Sequence, residues 1–265
     1  MAPYDFKAPD TNAILRASDG KEFHVHRLIL NLSSPVFQGM FALLQSTDNP
    51  SPHTPIIDVS DPSDVLEPFI QYLYLQSPPK ITDLTMWTAL YTIADKYNTE
   101  AVMKPLRDML IPRFLETSPL HVYALASRWG FEEEAKIASR RTLTMDIFRD
   151  FPREYAELMG GGACQQLYLL HFNRREAARA LVENHPPPHT DDPTCRRLPL
   201  NSALCSALCE RLSTRPWLTG EELCEDIVIG DYPWKCGPNC RHAIRYIYAY
   251  LTSLLQAISD LPQTI

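Results

Sequence analysis

The sequence is poor in glycine, with only nine in 265 residues, about half the usual share. Glycine-rich loops that hold phosphates are therefore scarce, and the chain has neither a P-loop nor a dinucleotide-binding fingerprint. It also lacks a Gly-x-Ser-x-Gly elbow and a His-Glu-x-x-His pair. We therefore expect no enzymatic activity, although a cysteine–histidine pair assembled in space stays open as an alternative.

Positive charge is also scarce: the chain has 25 Lys and Arg residues against 32 Asp and Glu residues, which gives a net charge of −7. This balance argues against direct nucleic-acid binding. We expect the arginine pairs Arg140–Arg141, Arg174–Arg175 and Arg196–Arg197 to be solvated on helix faces or in a linker. No apolar run approaches the ~18 residues of a membrane span, and the start lacks the pattern of a secretory signal. These features predict a cytoplasmic or nuclear protein with no membrane partner and no small-molecule substrate.

Cysteine is absent before Cys164, and all seven cysteines lie in the second half. In a reducing compartment they are expected to be free thiols or metal ligands, not disulfides. Cys236 and Cys240 flank a Gly-Pro turn at a spacing typical of a zinc knuckle. With Cys195 and His242 they are the predicted ligands of a structural zinc ion. The alternative is that these thiols are inert and lie on small helices.

The front half alternates between short strands and helices. A turn at Ser18–Lys21 predicts a hairpin, and Ser34 before Pro35 predicts a helix start. Asp61 and Pro62 predict another helix with Asp61 as its cap; because of Pro68, it either begins near Glu67 or is kinked. The predicted strands are Ala13–Arg16, Glu22–His26 and Ile56–Val59, and the remaining predicted helices are Leu28–Leu30, Leu84–Tyr97 and Glu100–Leu115.

The second half has the periodicity of α-helices. The predicted helices are Leu120–Trp129, Glu132–Phe148, Cys164–Asn184, Asn201–Leu212, Gly220–Ile229 and His242–Ser259, with a loop at Gly160–Gly162. The predicted regions are an α+β domain at 10–116, a helical extension at 117–184, a proline-rich linker at 185–199 and a helical, cysteine-containing tail at 200–265. The predicted fold is therefore a short three-stranded sheet with a helical cluster, followed by a mostly α-helical C-terminal region.

Several blocks of sequence resemble the BTB/POZ domain. Phe23-x-Val25-His26-Arg27-x-Ile29-Leu30 and Ser34-Pro35-Val36-Phe37-x-x-Met40-Phe41 are similar to its core signature. Phe69-Ile70-x-Tyr72-Leu73-Tyr74 and Ala94-Asp95-Lys96-Tyr97 are similar to two later helices. Pro112–Leu115 and Val122–Ala126 resemble the extension of fungal members. The resemblance covers about residues 10–150, with the blocks in the family's order.

The resemblance implies a protein–protein interaction module that forms a homodimer through its N-terminal segment and first helices. The family carries an acidic residue in its first strand and a basic residue after the histidine. The basic position is Arg27, but the acidic position is Asn12; either Asp10 replaces the missing acid or the dimer is weakened. The residues expected at the dimer interface are Asp10, Asn12, Arg27, Leu28, Val36 and Met40.

Two further functions remain as alternatives. Many family members recruit a cullin ubiquitin ligase scaffold, so the chain is a candidate substrate adaptor with the helices at Leu120–Phe148 as one contact. Its second contact, a hydrophobic-x-Glu motif, is not found in Leu43–Asp48. The other alternative is a zinc-containing transcriptional regulator, against which the acidic charge argues.

Overall fold

The computed structural model describes residues 10–45, 54–74, 79–149, 151–184, 200–216 and 241–265. The chain divides after Phe114 into two compact units. The predicted linker 185–199 and the predicted helix Gly220–Ile229 lie outside the described residues. The helical extension and the tail, treated above as separate regions, both fall in the second unit.

The first unit contains a three-stranded sheet of order β2-β1-β3, which confirms the predicted hairpin and third strand. β1 (Ala13–Arg16) pairs antiparallel with β2 (Glu22–Val25) and parallel with β3 (Ile56–Asp58). The hairpin turn contains Gly20 at φ +87°, a backbone conformation that favours glycine. Alternate residues of the hairpin, including Leu15 and Phe23, are fully buried on one face.

The described part of the first unit also contains five helices that pack against one another: α1 (Arg27–Ser33), α2 (Pro35–Gln45), α3 (Ser63–Leu73), α4 (Leu84–Lys96) and α5 (Glu100–Phe114). Ser34 is confirmed as the cap of α2, because its hydroxyl accepts the Phe37 N–H at 3.1 Å. Two central aromatic rings, Phe37 and Tyr97, stack with centroids 4.4 Å apart. These contacts fix α2 against the end of α4.

The prediction of Asp61 as the cap of α3 is wrong. Asp61 instead accepts the Tyr97 hydroxyl at 2.6 Å and the Lys96 ammonium at 2.6 Å. The first N–H of α3, that of Ser63, donates to Asp19 in the hairpin turn at 3.2 Å. The helix includes Pro68, so the alternative start near Glu67 is also wrong.

The second unit is α-helical in its described part. It contains α6 (Pro119–Arg128), α7 (Glu132–Thr142), α8 (Arg153–Asn184), α9 (Leu200–Thr214) and α10 (Arg241–Ser259). α7 is shorter than predicted, and the predicted Gly160–Gly162 loop is only a break in α8 at Gly160, where φ is +79°. α8, α9 and α10 share an apolar core of Ala178, Val182, Leu208, Leu212, Tyr250, Leu251, Leu254 and Ile258. No helix in the described ranges is long and apolar enough to span a bilayer.

Candidate interaction surface

An exposed apolar surface covers the outer side of α1 and α2. Leu28, Leu32 and Leu43 are 66%, 80% and 74% exposed, and Val36 and Met40 beside them are half-buried. We call these five residues the α1–α2 face. Leucines this exposed are unfavourable in water, and grouped apolar exposure is typical of an interaction site.

The opposite side of these two helices anchors the face rigidly to the first unit. Leu30, Phe37 and Phe41 are at most 1% exposed. The hydroxyl of Ser34, between the two helices, also donates a hydrogen bond to the Tyr97 carbonyl. The exposed leucines therefore project from fixed helices, which lowers the entropy cost of binding a partner.

Asn12 and Arg27 meet at the edge of the face, but not as a charge pair. The Asn12 side-chain oxygen accepts the Arg27 backbone N–H at 2.8 Å. This N–H is the first of α1 and has no acceptor within the helix. The Arg27 guanidinium lies over the Phe41 ring at 5.0 Å, a cation–π arrangement. At the position where the resemblance predicts an acidic residue, Asn12 thus supplies a hydrogen-bond acceptor without charge.

Asp10 lies against His26 and does not contact Arg27 in the described structure. The Asp10 carboxylate is 3.1 Å from Nε2 of His26, and Nδ1 of the same ring is 3.0 Å from the Tyr74 hydroxyl. The hydrogen bond from His26 lowers the pKa of Asp10 below its usual value. The Tyr74 hydroxyl also accepts the His26 backbone N–H at 2.7 Å. This chain of contacts ties the start of β1 to the end of α3.

Among the residues predicted at the interface, Asp10, Asn12 and Arg27 lie around the junction of β1, β2 and α1, whereas Leu28, Val36 and Met40 belong to the face itself. The six residues expected at the interface do not include Leu32 or Leu43. Their helical spacing is the signal that identifies them: Leu32 lies one turn after exposed Leu28, while Leu30 points to the core. The predicted zinc ligands Cys195, Cys236 and Cys240, and the side chain of His242, lie outside the described residues.

The second unit contains a buried cation that the sequence prediction placed in solvent. Arg174 of α8 is only 2% exposed, so the expectation of a solvated Arg174 is wrong. Its guanidinium donates to the carbonyls of Pro216 at 2.9 Å, Ile258 at 2.7 Å, Leu261 at 2.7 Å and Pro262 at 2.8 Å. These carbonyls lie at or just beyond the ends of α9 and α10, where many acceptors lack partners within a helix and a positive charge is favoured.

His171, one turn before Arg174, is also fully buried. Its Nε2 is 3.0 Å from the Thr142 hydroxyl, which itself donates to the Ser139 carbonyl at 2.6 Å. The proton of the neutral ring therefore sits on Nε2, and Nδ1 has no hydrogen-bond partner within the described part of the chain. Burial, followed by the charge of Arg174, lowers the pKa of His171 to about 4. Burial, followed by the charge of Arg140, lowers the pKa of Arg174 to about 10.

The described residues contain no group of three His, Cys, Asp or Glu side chains able to hold a metal ion. The polar clusters around His26 and Arg174 are closed by hydrogen bonds within the chain. Of the features on the first unit, the α1–α2 face is therefore the candidate functional site.

Comparison with known proteins agrees with this fold. Residues 7–113 match the BTB/POZ domain family, so this part of the chain is a BTB/POZ domain. The chain thus carries a domain of protein–protein interaction and oligomerisation. No curated protein matches the chain.

Proposed function

We propose that this chain is a non-catalytic interaction protein that forms a homodimer through the α1–α2 face. The observation that carries the proposal is the exposure of Leu28, Leu32 and Leu43 on helices that are otherwise firmly anchored. A two-fold axis through such a surface places the same apolar residues of both copies against each other.

Gly39 supports close approach of a second chain at this surface. It lies inside α2, one turn before Leu43, and a Cβ at this position would meet nothing within 4 Å. Glycine in a helix costs roughly 0.5–1 kcal/mol relative to alanine. The described residues offer no packing reason for that cost, whereas a second helix crossing closely at Gly39 explains it.

The expected strength of the dimer is moderate. Completing the burial of an exposed leucine gains ~1–2 kcal/mol, so three leucines on each copy give roughly 6–12 kcal/mol. Association costs about 4–15 kcal/mol in lost motion. The leucines alone therefore roughly balance this cost, and Val36, Met40 and the surrounding residues supply the surplus. One charge placed in the face should be enough to dissociate the dimer.

Light scattering at several concentrations tests the proposal. The wild-type chain is expected at twice its mass of 30.2 kDa, and Leu32→Glu is expected as a monomer with an unchanged circular dichroism spectrum. Ile137→Glu is the matched control, because Ile137 is also exposed, at 45%, but lies on α7. Gly39→Ala should raise the stability of the monomer while weakening the dimer.

A wild-type chain that stays monomeric at every concentration would refute the proposed dimer. A dimer that survives Leu32→Glu and Leu43→Glu would show that the copies meet through another surface.

A second candidate function is that of a substrate adaptor for a cullin ubiquitin ligase. One observation favours it: α6 and α7 form a packed helical pair directly after the domain. The family's hydrophobic-x-Glu motif is not found after α2, which weakens the second expected contact. A pull-down with the N-terminal region of a cullin decides the matter, and binding lost on substitution of exposed α7 residues would support it.

A further inference from the structure

A second exposed apolar stripe runs along α8 in the second unit. Tyr168, Leu169 and Phe172 are 52%, 44% and 39% exposed. They occupy neighbouring positions on the outer side of the helix, because residues three and four apart share a face. The inner side of the same helix is formed by buried residues such as Leu167 and Ala178. The stripe is therefore not needed to close the core.

One edge of the stripe is positively charged. The Arg175 guanidinium lies 4.8 Å from the centre of the Phe148 ring and 5.9 Å from that of Phe172. Its Nη1 donates to the Ser213 carbonyl at the end of α9 at 3.3 Å. The rings of Phe148 and Tyr168 meet edge to face at 4.9 Å. Arg175 is thus held in place between aromatic rings, with part of its charge still facing solvent.

Two more arginines are close to this edge in sequence. Arg149 follows Phe148, and Arg215 follows the end of α9; both are exposed. Two carboxylates in the described part of the chain contact the same residues: Asp146 accepts the Phe148 N–H at 3.2 Å, and Glu176 lies 3.9 Å from Arg175. Among the described residues named here, three arginines accompany two carboxylates, although the whole chain carries a net charge of −7. The edge is a local positive site in an acidic protein.

A cavity of about 420 Å³ opens along the other edge of the stripe. Leu169 belongs to both the stripe and the cavity, whose apolar wall also includes Leu170, Ala177, Pro262 and Ile265. Its volume lies within the ~300–1,000 Å³ typical of binding pockets. The cavity can receive a large apolar side chain from a partner that also covers Leu169.

We propose that the α8 stripe binds an acidic segment of another protein that carries a bulky apolar anchor residue. The acidic residues of the bound segment pair with Arg175 and the neighbouring arginines. Its apolar residues pack on Tyr168 and Phe172, and its anchor side chain enters the cavity beside Leu169. Apolar contact area with charge at its edge is typical of protein interfaces, and an anchor residue that fills a pocket is typical of their strongest contacts.

A protein segment fits this site better than a polyanion. Three arginines neutralise few phosphates, and strong nucleic-acid binding rests on many such contacts. The polar residues at the cavity are Gln166, Asn173, Thr264 and the buried Arg174, and none of them has a carboxylate side chain. The two amides and the hydroxyl can form hydrogen bonds with the backbone of a bound peptide. The site is distinct from the α1–α2 face, so it does not depend on the proposed dimer.

Selection from a random-peptide phage library against the full-length chain tests the proposal. Peptides enriched on the wild-type chain but not on Phe172→Ser should combine acidic residues with Trp, Phe or Leu. The strongest peptide, labelled with fluorescein, should lose at least about tenfold in affinity on Phe172→Ser and on Tyr168→Ser. Its affinity should also fall as salt rises.

The controls separate loss of binding from loss of fold. Ile137→Ser changes an exposed residue of the same unit outside the stripe and should leave the affinity unchanged. Circular dichroism should give the same spectrum for all variants. A lysine-for-acid version of the peptide should not bind, because it would meet Arg175.

Enrichment that is independent of Phe172, or enriched peptides without acidic residues, would overturn the proposal. Phe172-dependent binding to phosphatidylserine vesicles without peptide enrichment would assign the stripe to membranes. A change in oligomeric mass on Phe172→Ser, again without peptide enrichment, would assign it to contact between copies of the chain. Either of these last two results would also refute an acidic protein partner.

Discussion

Substitution of Arg174 gives the sharpest test of how the second unit is held together. Arg174→Ala removes a cation that donates to four main-chain carbonyls at 2.7–2.9 Å. The acceptors belong to the ends of α9 and α10, so the change leaves several carbonyls without donors at once. We expect these two helices to loosen from α8.

The size of the effect follows from the burial of the site. Hydrogen bonds to a charged group contribute about 1.5–3 kcal/mol each, but their sum is offset by the cost of desolvating the cation. Removing one partner from a buried charged cluster typically costs ~3–5 kcal/mol. We therefore expect Arg174→Ala to lower the free energy of unfolding by this amount. Arg174→Lys should lose ~2–3 kcal/mol, because a single ammonium cannot reach acceptors arranged around a guanidinium.

Urea unfolding followed by circular dichroism measures this loss. The chain has two compact units, so two transitions are expected, and only that of the second unit should shift. Arg179→Ala is the matched control: Arg179 lies on the same helix and pairs with Glu183 at 3.0 Å, but its side chain is 57% exposed. Such surface pairs contribute about 0–1 kcal/mol.

A loss of less than about 1 kcal/mol for Arg174→Ala would refute the reasoning. It would mean that water replaces the guanidinium at all four carbonyls without cost. An equal loss for Arg179→Ala would show that the effect reflects helix α8 in general and not the buried cluster.

Four further predictions follow from other sites. His171 is buried in its neutral form with a folded-state pKa of about 4, so on acidification the unfolded state binds a proton before the folded state does. The free energy of unfolding of the second unit should therefore fall by ~3 kcal/mol between pH 7 and pH 4. Urea titrations at both pH values should show this fall for the wild-type chain and not for His171→Leu. Asp83→Ala should cost about 0.5–2 kcal/mol in the first urea transition, because the carboxylate caps α4 by accepting an N–H at 2.8 Å. Asn12→Asp should stabilise the first unit by ~0.3–1 kcal/mol at pH 7, measured by the urea midpoint, because a negative charge at the start of α1 is favourable, and the gain should vanish below about pH 3. Elemental analysis of the purified chain should find one zinc ion, lost on Cys236→Ser and Cys240→Ser, and absence of stoichiometric metal would end that hypothesis.

The sequence was sufficient to predict local elements that depend on residues close together in the chain. The Ser34-Pro35 start of α2 and the hairpin turn at Gly20 depend on residues within a few positions of each other. Long-range partners were not predictable in this way. The cap of α3 comes from Asp19, which lies 44 residues before Ser63, so the nearest acid, Asp61, was the natural but wrong choice.

Arg174 shows the same limit at the level of charge. The pair Arg174–Arg175 suggested a solvated helix face, yet only the second arginine remains partly exposed. Helical spacing does give a signal. Arg174 lies on the same face of α8 as Leu167, Leu170, His171 and Ala178, all of which are buried. The sequence could place the arginine on that buried face but could not predict the four carbonyl acceptors, since they come from distant segments.

The position of these acceptors along the chain also sets an order of events during synthesis. Arg174 is translated long before Ile258, Leu261 and Pro262, which supply three of the four carbonyls around it. Until those residues leave the ribosome, the Arg174 guanidinium lacks three of its four carbonyl acceptors. Its charge then favours conformations in which this part of α8 is exposed to water. We therefore expect the first unit to fold while translation continues, and the second to close only after α10 has emerged.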